Sequence, residues 1–335
     1  MSDTPLADRL VLDLSVTIPG PYATSLLQRM GARVIKVEPP QGDLTRIFPG
    51  MYAALNSGKE HIACDLKRPE GVALVRKIAS RADVVVEGWR PGVADRLGIG
   101  MEQLREQNPR LVTCSISGWG ATGPDRDRAG HDINYLAEAG ALDMAHAGRA
   151  PHNLGVPIAD LVGGTFAALR ISAALAQVST TGQGCHIDTS LAGAARDWVE
   201  ALGGMQHRYP MASLDALPHY GVFETADGHH LSIGIVNEDH FWKALATILE
   251  LDPADRALDF ASRGGEADRL RNQLASAISG RRRDELEALL KQADTCWAFV
   301  DASTGTREIS GRLPAPSGEA PGLDADSDRI RKEFG

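Results

Sequence analysis

Several large classes of protein are excluded by what this sequence lacks. Its 335 residues hold four cysteines, Cys64, Cys114, Cys185 and Cys296, widely scattered and with no CxxC pair. That spacing argues against a structural zinc or a disulfide framework and fits a reducing cytoplasm. Positive charge is scarce: 35 Lys and Arg against 44 Asp and Glu leave a net charge of −9, and the longest basic tract is Arg281-Arg282-Arg283. A general nucleic-acid binder needs a cationic face to displace counterions, so that class is not expected. No run approaches 18 uninterrupted apolar residues, so no transmembrane helix and no membrane partner are expected. Residues Met1–Asp8 show no basic start followed by an apolar stretch, the mark of a secretion signal. The expectation is a cytoplasmic globular protein.

What is present is a packable chain, 43% hydrophobic and 24% charged, long enough for two domains. Short β-rich runs at Leu10–Leu14, Arg33–Glu38, His61–Leu66, Asp83–Glu87 and Leu111–Ser117 alternate with helical stretches at Tyr22–Met30, Pro69–Ser80 and Met101–Gln107. Gly31 stands where a helix C-terminus wants glycine, and Ile18–Pro21 reads as a turn. The alternation predicts an α/β fold, a Rossmann-like large domain with a parallel sheet covered on both faces. An apolar helix is expected over Gly163–Gln177, followed by a strand at His186–Ser190. The character changes at Tyr220–Thr225 and His230–Ile235, two runs flanking the turn Ala226-Asp227-Gly228, with helical patterns at Glu238–Leu249, Asp268–Ile278 and Arg283–Gln292. The division predicted is a large domain over 1–203, a smaller α+β domain over 219–300, and an extended tail over 301–335 that returns to the large domain.

Gly118-Trp119-Gly120-Ala121-Thr122-Gly123 matches GxGxxG, but no apolar periodicity follows it. Without a helix starting there the diphosphate cradle is missing, so this is a glycine loop and not a dinucleotide fingerprint. Gly130-His131-Asp132-Ile133-Asn134-Tyr135 is the most chemically loaded stretch. Asp132 either caps the following helix or serves a site, and His131 either bonds nearby backbone or moves protons, which imidazole suits near neutrality. Asp160 begins an apolar helix and precedes Gly163-Gly164. It reads as a helix-start acid, or as a catalytic carboxylate with glycines admitting substrate and free N–H groups binding an oxyanion. Glu238 alone reads as a first-turn acid, and Cys114 as core.

Together these pieces resemble the class III CoA-transferase superfamily, and within it the α-methylacyl-CoA racemase branch. The likeness runs from about Pro5 to about Leu251. It is carried by Leu14–Pro21 with Gly31–Glu38, Asn56–Lys59 with Asp65-Leu66-Lys67, Ala82–Gly92 with Arg96-Leu97-Gly98, then Gly118–Gly123 and Gly130–Tyr135. The resemblance implies interlocked homodimers, an acyl-CoA substrate, and no metal or cofactor beyond the CoA moiety.

It also implies roles. Asp160 matches the family's catalytic aspartate, which in transferases attacks the thioester and in racemases is one of a proton-transfer pair. His131 matches the other member of that pair, a position at which transferases generally have no histidine, and Glu238 matches a glutamate thought to support the histidine. Epimerisation at the α carbon of a 2-methylacyl-CoA is therefore the first expectation, with His131 and Asp160 on opposite faces and N–H groups near Asp160 on the enolate oxygen. CoA transfer through Asp160 is the alternative, and a non-catalytic acyl-CoA binder is a third. The positions matching the family's CoA contacts are Lys59, Leu66, Lys67, Trp89, Arg90, Arg96, Gly130, Asp132, Asn134 and Tyr135. Pro39 stands where the family often has a basic residue, leaving that phosphate contact absent or supplied by Lys36. The segment between Cys296 and Pro314 is shorter than the family's usual one.

Overall fold

Apolar side chains on both faces of consecutive short runs force those runs into a sheet covered on both sides, and that is the arrangement adopted. The computed structural model describes residues 4–144, 152–208, 214–300, 310–316 and 319–335. These fall into two compact units, one within Met1–Leu142, Asn153–Val199 and Ser310–Gly335, the other within Asp143–His152 and Glu200–Ile309.

The first unit holds six strands: β1 (Leu10–Asp13), β2 (Arg33–Glu38), β3 (Glu60–Ala63), β4 (Val84–Glu87), β5 (Val112–Ser117) and β6 (His186–Ser190). All pair in parallel, in the order β3-β2-β1-β4-β5-β6. The period-two alternation of strand side chains splits the core. Val11, Val34, Val84 and Val86 meet the helices Pro19–Arg29 and Ile158–Thr181 on one face. Leu12, Ile35 and Val85 meet Pro69–Ala79 and Met101–Gln107 on the other. Strand order reverses between β1 and β4, so the loops leaving their carboxyl ends diverge and open a crevice there.

Three local readings change. The first helix starts at Pro19, not Tyr22. Prolines 19 and 21 sit in the first turn, where their missing N–H groups cost nothing. Ile158–Thr181 starts five residues before the predicted helix; among the described residues it is the one helix long and apolar enough to cross a membrane by length and composition, yet half of its most apolar stretch is buried, as in a core helix. Ser327–Phe334, whose first two residues end the stretch Ser303–Asp328 read as extended, is an amphipathic helix whose Ile330 and Phe334 are buried against the second face of the sheet.

The second unit holds the expected hairpin, β7 (Tyr220–Glu224) with β8 (His230–Gly234), and a third antiparallel strand, β9 (Trp297–Phe299), that was not expected. Helices Asp239–Ile248, Ala267–Ser279 and Arg283–Leu290 pack on it around Trp242, Leu245, Leu274 and Leu286. Residues 301–309 of the shortened segment lie outside the described residues.

Candidate active site

A cavity of about 310 Å³ opens at the reversal point, lined from the β1 loop by Thr17, from the β4 loop by Gly88–Pro91, and from the β5 loop by Ser117–Trp119. His131 and Asp160 both line it. They arrive from different helices. His131 is the extended N-cap residue of the helix Asp132–Ala139; its N–H donates to Asn134 Oδ1 at 3.0 Å, which closes the first turn. Asp160 lies in the first turn of Ile158–Thr181.

One residue joins the two helix starts. Asp132 does not cap its own helix. Its Oδ1 accepts the Asp160 N–H at 3.1 Å. The same carboxylate, next to the half-buried Asp160 side chain, acts with burial to push Asp160 from 3.8 up to about 7. Burial dominates and the like charge adds to it. No hydrogen bond to the Asp160 carboxylate is formed among the described residues.

Two expectations about this helix start are overturned. Its N–H groups at Ile158, Asp160 and Leu161 are not free for an oxyanion: Asp160 donates to Asp132, Ile158 to Val156 O at 2.8 Å, and Leu161 to Pro157 O at 3.1 Å. The glycines do not admit substrate either. A Cβ on Gly164 would lie 2.6 Å from the Pro19 carbonyl oxygen, and one on Gly163 would collide with the Leu191 side chain, so both serve close packing.

The glycine loop Gly118–Gly123 is followed by no helix, as its sequence indicates. Gly118 leaves room for the Tyr135 ring, which stacks edge-on against Trp119 at 5.1 Å while its hydroxyl donates to Gly130 O at 2.6 Å. Tyr135 and Gly130 thus shape the cavity wall on which His131 stands. Asp132 and Asn134, expected to touch CoA, are instead spent on capping, because both are held by backbone N–H groups.

The remaining predicted CoA residues divide. Trp89 and Arg90 line the cavity, and Trp89 also borders a second cavity of about 520 Å³ with Leu66 and Lys67. Leu66 and Lys67 in turn border a third, of about 510 Å³, lined by Arg68, Arg76 and Arg96. The recesses therefore share walls in sequence, from the one lined by His131 and Asp160 to the one lined by Arg68, Arg76 and Arg96. Lys59 is not among them. It is fully buried, its Nζ donates to Asp13 Oδ2, Pro21 O, Thr24 Oγ1 and Asn56 Oδ1, and desolvation lowers it from 10.5 to about 8 despite the Asp13 charge. A lysine with every proton committed inside has none for a ligand phosphate. Lys36 is likewise buried, donating to Ser15 O at 2.8 Å and pairing with Asp43 at 3.3 Å, so it does not replace the missing basic residue. Glu238 is in the second unit, as the N-cap residue of Asp239–Ile248, with Oε2 accepting the Val236 N–H at 2.9 Å; the cavity holding His131 and Asp160 is lined by the first unit alone.

Sequence reasoning missed Arg126 and Arg128, which line the cavity, and Glu87, whose buried carboxyl accepts the Trp89 N–H at 2.7 Å and is pushed up to about 7 by burial. It passed over Thr17, which lines the cavity with a left-handed backbone (φ 68°). Among the described residues no group of three or more His, Cys, Asp or Glu is placed to hold a metal ion.

Comparison with known proteins gives the family. The family model of CoA-transferase family III matches residues 6–310. The chain is 37% identical over 270 residues to a succinate–glutarate CoA-transferase of Agrobacterium fabrum, an alignment covering 73% of this chain and 66% of that protein. It is 35% identical over 248 residues to the α-methylacyl-CoA racemase of Homo sapiens, covering 70% and 62% respectively. In both cases the match spans less than two thirds of the relative. A crystal structure of a CAIB/BAIF family protein from Brucella suis superposes with a TM-score of 0.82 at 28% identity, over 99% of this chain and 100% of that one.

Proposed function

Since this chain belongs to CoA-transferase family III, we propose that it is an enzyme that epimerises the α carbon of an acyl-CoA thioester, with His131 and Asp160 as the two bases. The observation that carries the reading is that an imidazole and a carboxyl raised to about 7 share one small cavity. A hydrogen α to a thioester carbonyl is weakly acidic, and a base near neutrality is matched to it. In one direction Asp160 takes the proton and His131 delivers one to the other face; in the reverse direction the roles exchange. Each such step typically contributes about 10²–10⁴-fold. Charge developing on the thioester oxygen is favoured by Arg90 in the cavity wall. The row of recesses past Trp89 to Lys67 and Arg96 suits an elongated carrier with its phosphates at the cationic end.

A second reading is CoA transfer between carboxylates, with Asp160 as nucleophile; the likeness to a succinate–glutarate CoA-transferase favours it. One experiment separates the two. A chiral 2-methylacyl-CoA incubated with the protein in D2O gains α-deuterium without any acceptor acid if the protein is an epimerase, and His131→Ala abolishes that gain. CoA movement only on adding a carboxylate, with Asp160 trapped by hydroxylamine, establishes the transferase and overturns the epimerase. A homodimer completing the site remains part of the proposal, tested by the mass in solution.

A further inference from the structure

Two lysines and two aspartates are sealed beneath the loop that leaves β1. Asp13, Lys36, Asp43 and Lys59 are each at most 3% exposed, paired as Lys59–Asp13 at 3.1 Å and Lys36–Asp43 at 3.3 Å. A buried ion pair gains little net stability over an apolar one, because desolvation offsets its attraction. The backbone bonds of these four groups show what they hold. Asp13 Oδ1 accepts the Ser15 N–H at 3.0 Å, and Lys36 Nζ donates to Ser15 O at 2.8 Å. Asp43 Oδ2 accepts the Thr17 N–H at 3.2 Å, and Lys59 Nζ donates to Pro21 O at 2.9 Å. All four therefore grip one stretch, Ser15–Pro21, which carries Thr17 and Pro19 into the wall of the cavity holding His131 and Asp160.

That stretch needs holding. Thr17 has a φ of 68°, a left-handed backbone that a β-branched side chain disfavours, and its N–H is the atom Asp43 takes. The same loop bears on the helix of Asp160. The Pro19 carbonyl oxygen packs so close to Gly164 that a Cβ there would lie 2.6 Å from it. Gly164 follows Asp160 by four residues, so the two share one face of Ile158–Thr181, a turn apart. Relaxing Thr17 would shift the Pro19 carbonyl, and with it the support one turn from Asp160.

We infer that the buried quartet Asp13, Lys36, Asp43 and Lys59 positions Asp160, by holding the β1 loop in a strained shape whose Pro19 carbonyl sets where the Asp160 carboxyl stands in the cavity. These are positioning residues, sealed from any substrate. The inference rests on the reading that Asp160 acts on an acyl-CoA, as proton carrier or as nucleophile.

The test is a double-mutant cycle on Thr17 and Asp43 in the full chain. The groups bonded or paired to the Asp43 carboxylate are donors: the Thr17 and Thr45 N–H groups, the Thr45 hydroxyl and the Lys36 ammonium. Asp43→Asn sets an amide N–H2 among them with nothing to receive it, which loosens the hold on Thr17. Glycine adopts a left-handed backbone unaided, so Thr17→Gly removes the need for that hold. Turnover is read as α-deuterium exchange or CoA transfer, whichever the wild type performs, and binding as affinity for an unreactive CoA thioether. Asp43→Asn is expected to lower kcat about tenfold or more, with thioether affinity changed by about twofold at most. In the Thr17→Gly background the same substitution is expected to cost about threefold or less. Equal losses in both backgrounds overturn the inference, as does a loss confined to thioether affinity. Should Asp43→Asn fail to fold, Thr17→Pro decides: it lies on an exposed residue, fixes φ at about −65° and removes the N–H. Its kcat is expected to fall with the thioether still bound, and wild-type turnover overturns the inference. A wild type that neither exchanges deuterium nor transfers CoA ends the reading of the cavity and this inference with it. An active wild type without the coupling ends the inference alone.

Discussion

Asparagine in place of Asp160 is expected to destroy activity and stabilise the fold. The carboxyl is pushed from 3.8 to about 7, and no hydrogen bond to it is lost on substitution. Each pH unit of such a displacement corresponds to about 1.4 kcal/mol. Allowing for partial exposure, ionised Asp160 costs the folded state on the order of 3 kcal/mol. The folded chain holds this proton more tightly than the unfolded chain. The cost is therefore absent below about pH 4, grows as pH rises from there to about 7, and is complete above 7. Asp160→Asn should match the wild type in urea unfolding near pH 4 and exceed it by a few kcal/mol at pH 8.5, while α-proton exchange vanishes. A variant that gains nothing at pH 8.5, or gains equally at both pH values, would refute the claim that the aspartate is held in a disfavoured charge state.

Four further outcomes follow from the same geometry. The two directions use enzyme forms with the same number of protons, one placing the shared proton on His131 and the other on Asp160, so kcat/KM should follow the same bell-shaped pH profile both ways, with a limb near 7 set by Asp160; stereospecific exchange rates at several pH values check this. Asp132→Asn removes the like charge yet keeps an oxygen for the cap, so the limb set by Asp160 should move to lower pH in both directions. Lys59→Met breaks a fully buried ion pair and leaves the Asp13 carboxylate to Ser15 and Thr24 alone as hydrogen-bond donors, and denaturant titration should show a loss of roughly 3–5 kcal/mol. Tyr135→Phe removes the 2.6 Å bond to Gly130 O, and should slow exchange several-fold with about 1 kcal/mol lost in stability.

The sheet was legible because parallel strands buried on both faces must be written as short apolar runs between helix-length segments. β2 ends where its sequence says it should, and Pro19 misled only because proline serves a turn and a first helical turn equally well. His131 and Asp160 were singled out through family resemblance and share a cavity; their residue types alone left a purely structural explanation open for each, backbone hydrogen bonding for His131 and helix-start stabilisation for Asp160. The errors lie where long-range geometry decides. Lys59 and Lys36 look like surface cations in one dimension, but the chain turns both inward on carboxylates and carbonyls. Asp132 reads as a local cap, yet its partner is 28 residues away, a separation that leaves no periodic mark. Arg126 and Arg128 sit in a loop without pattern, and only folding brings them to the cavity wall.

The bridge made by Asp132 has an engineering corollary. Because Asp132 is the chain neighbour of His131 and its side chain clamps the start of the helix that carries Asp160, the two groups proposed as bases form a single mechanical unit. Redesign that exchanges one while holding the other constant will not behave as a sum of parts. Paired substitutions across this link should show coupling far above that of distant sites, so any attempt to convert one chemistry into the other has to rebuild both helix starts together.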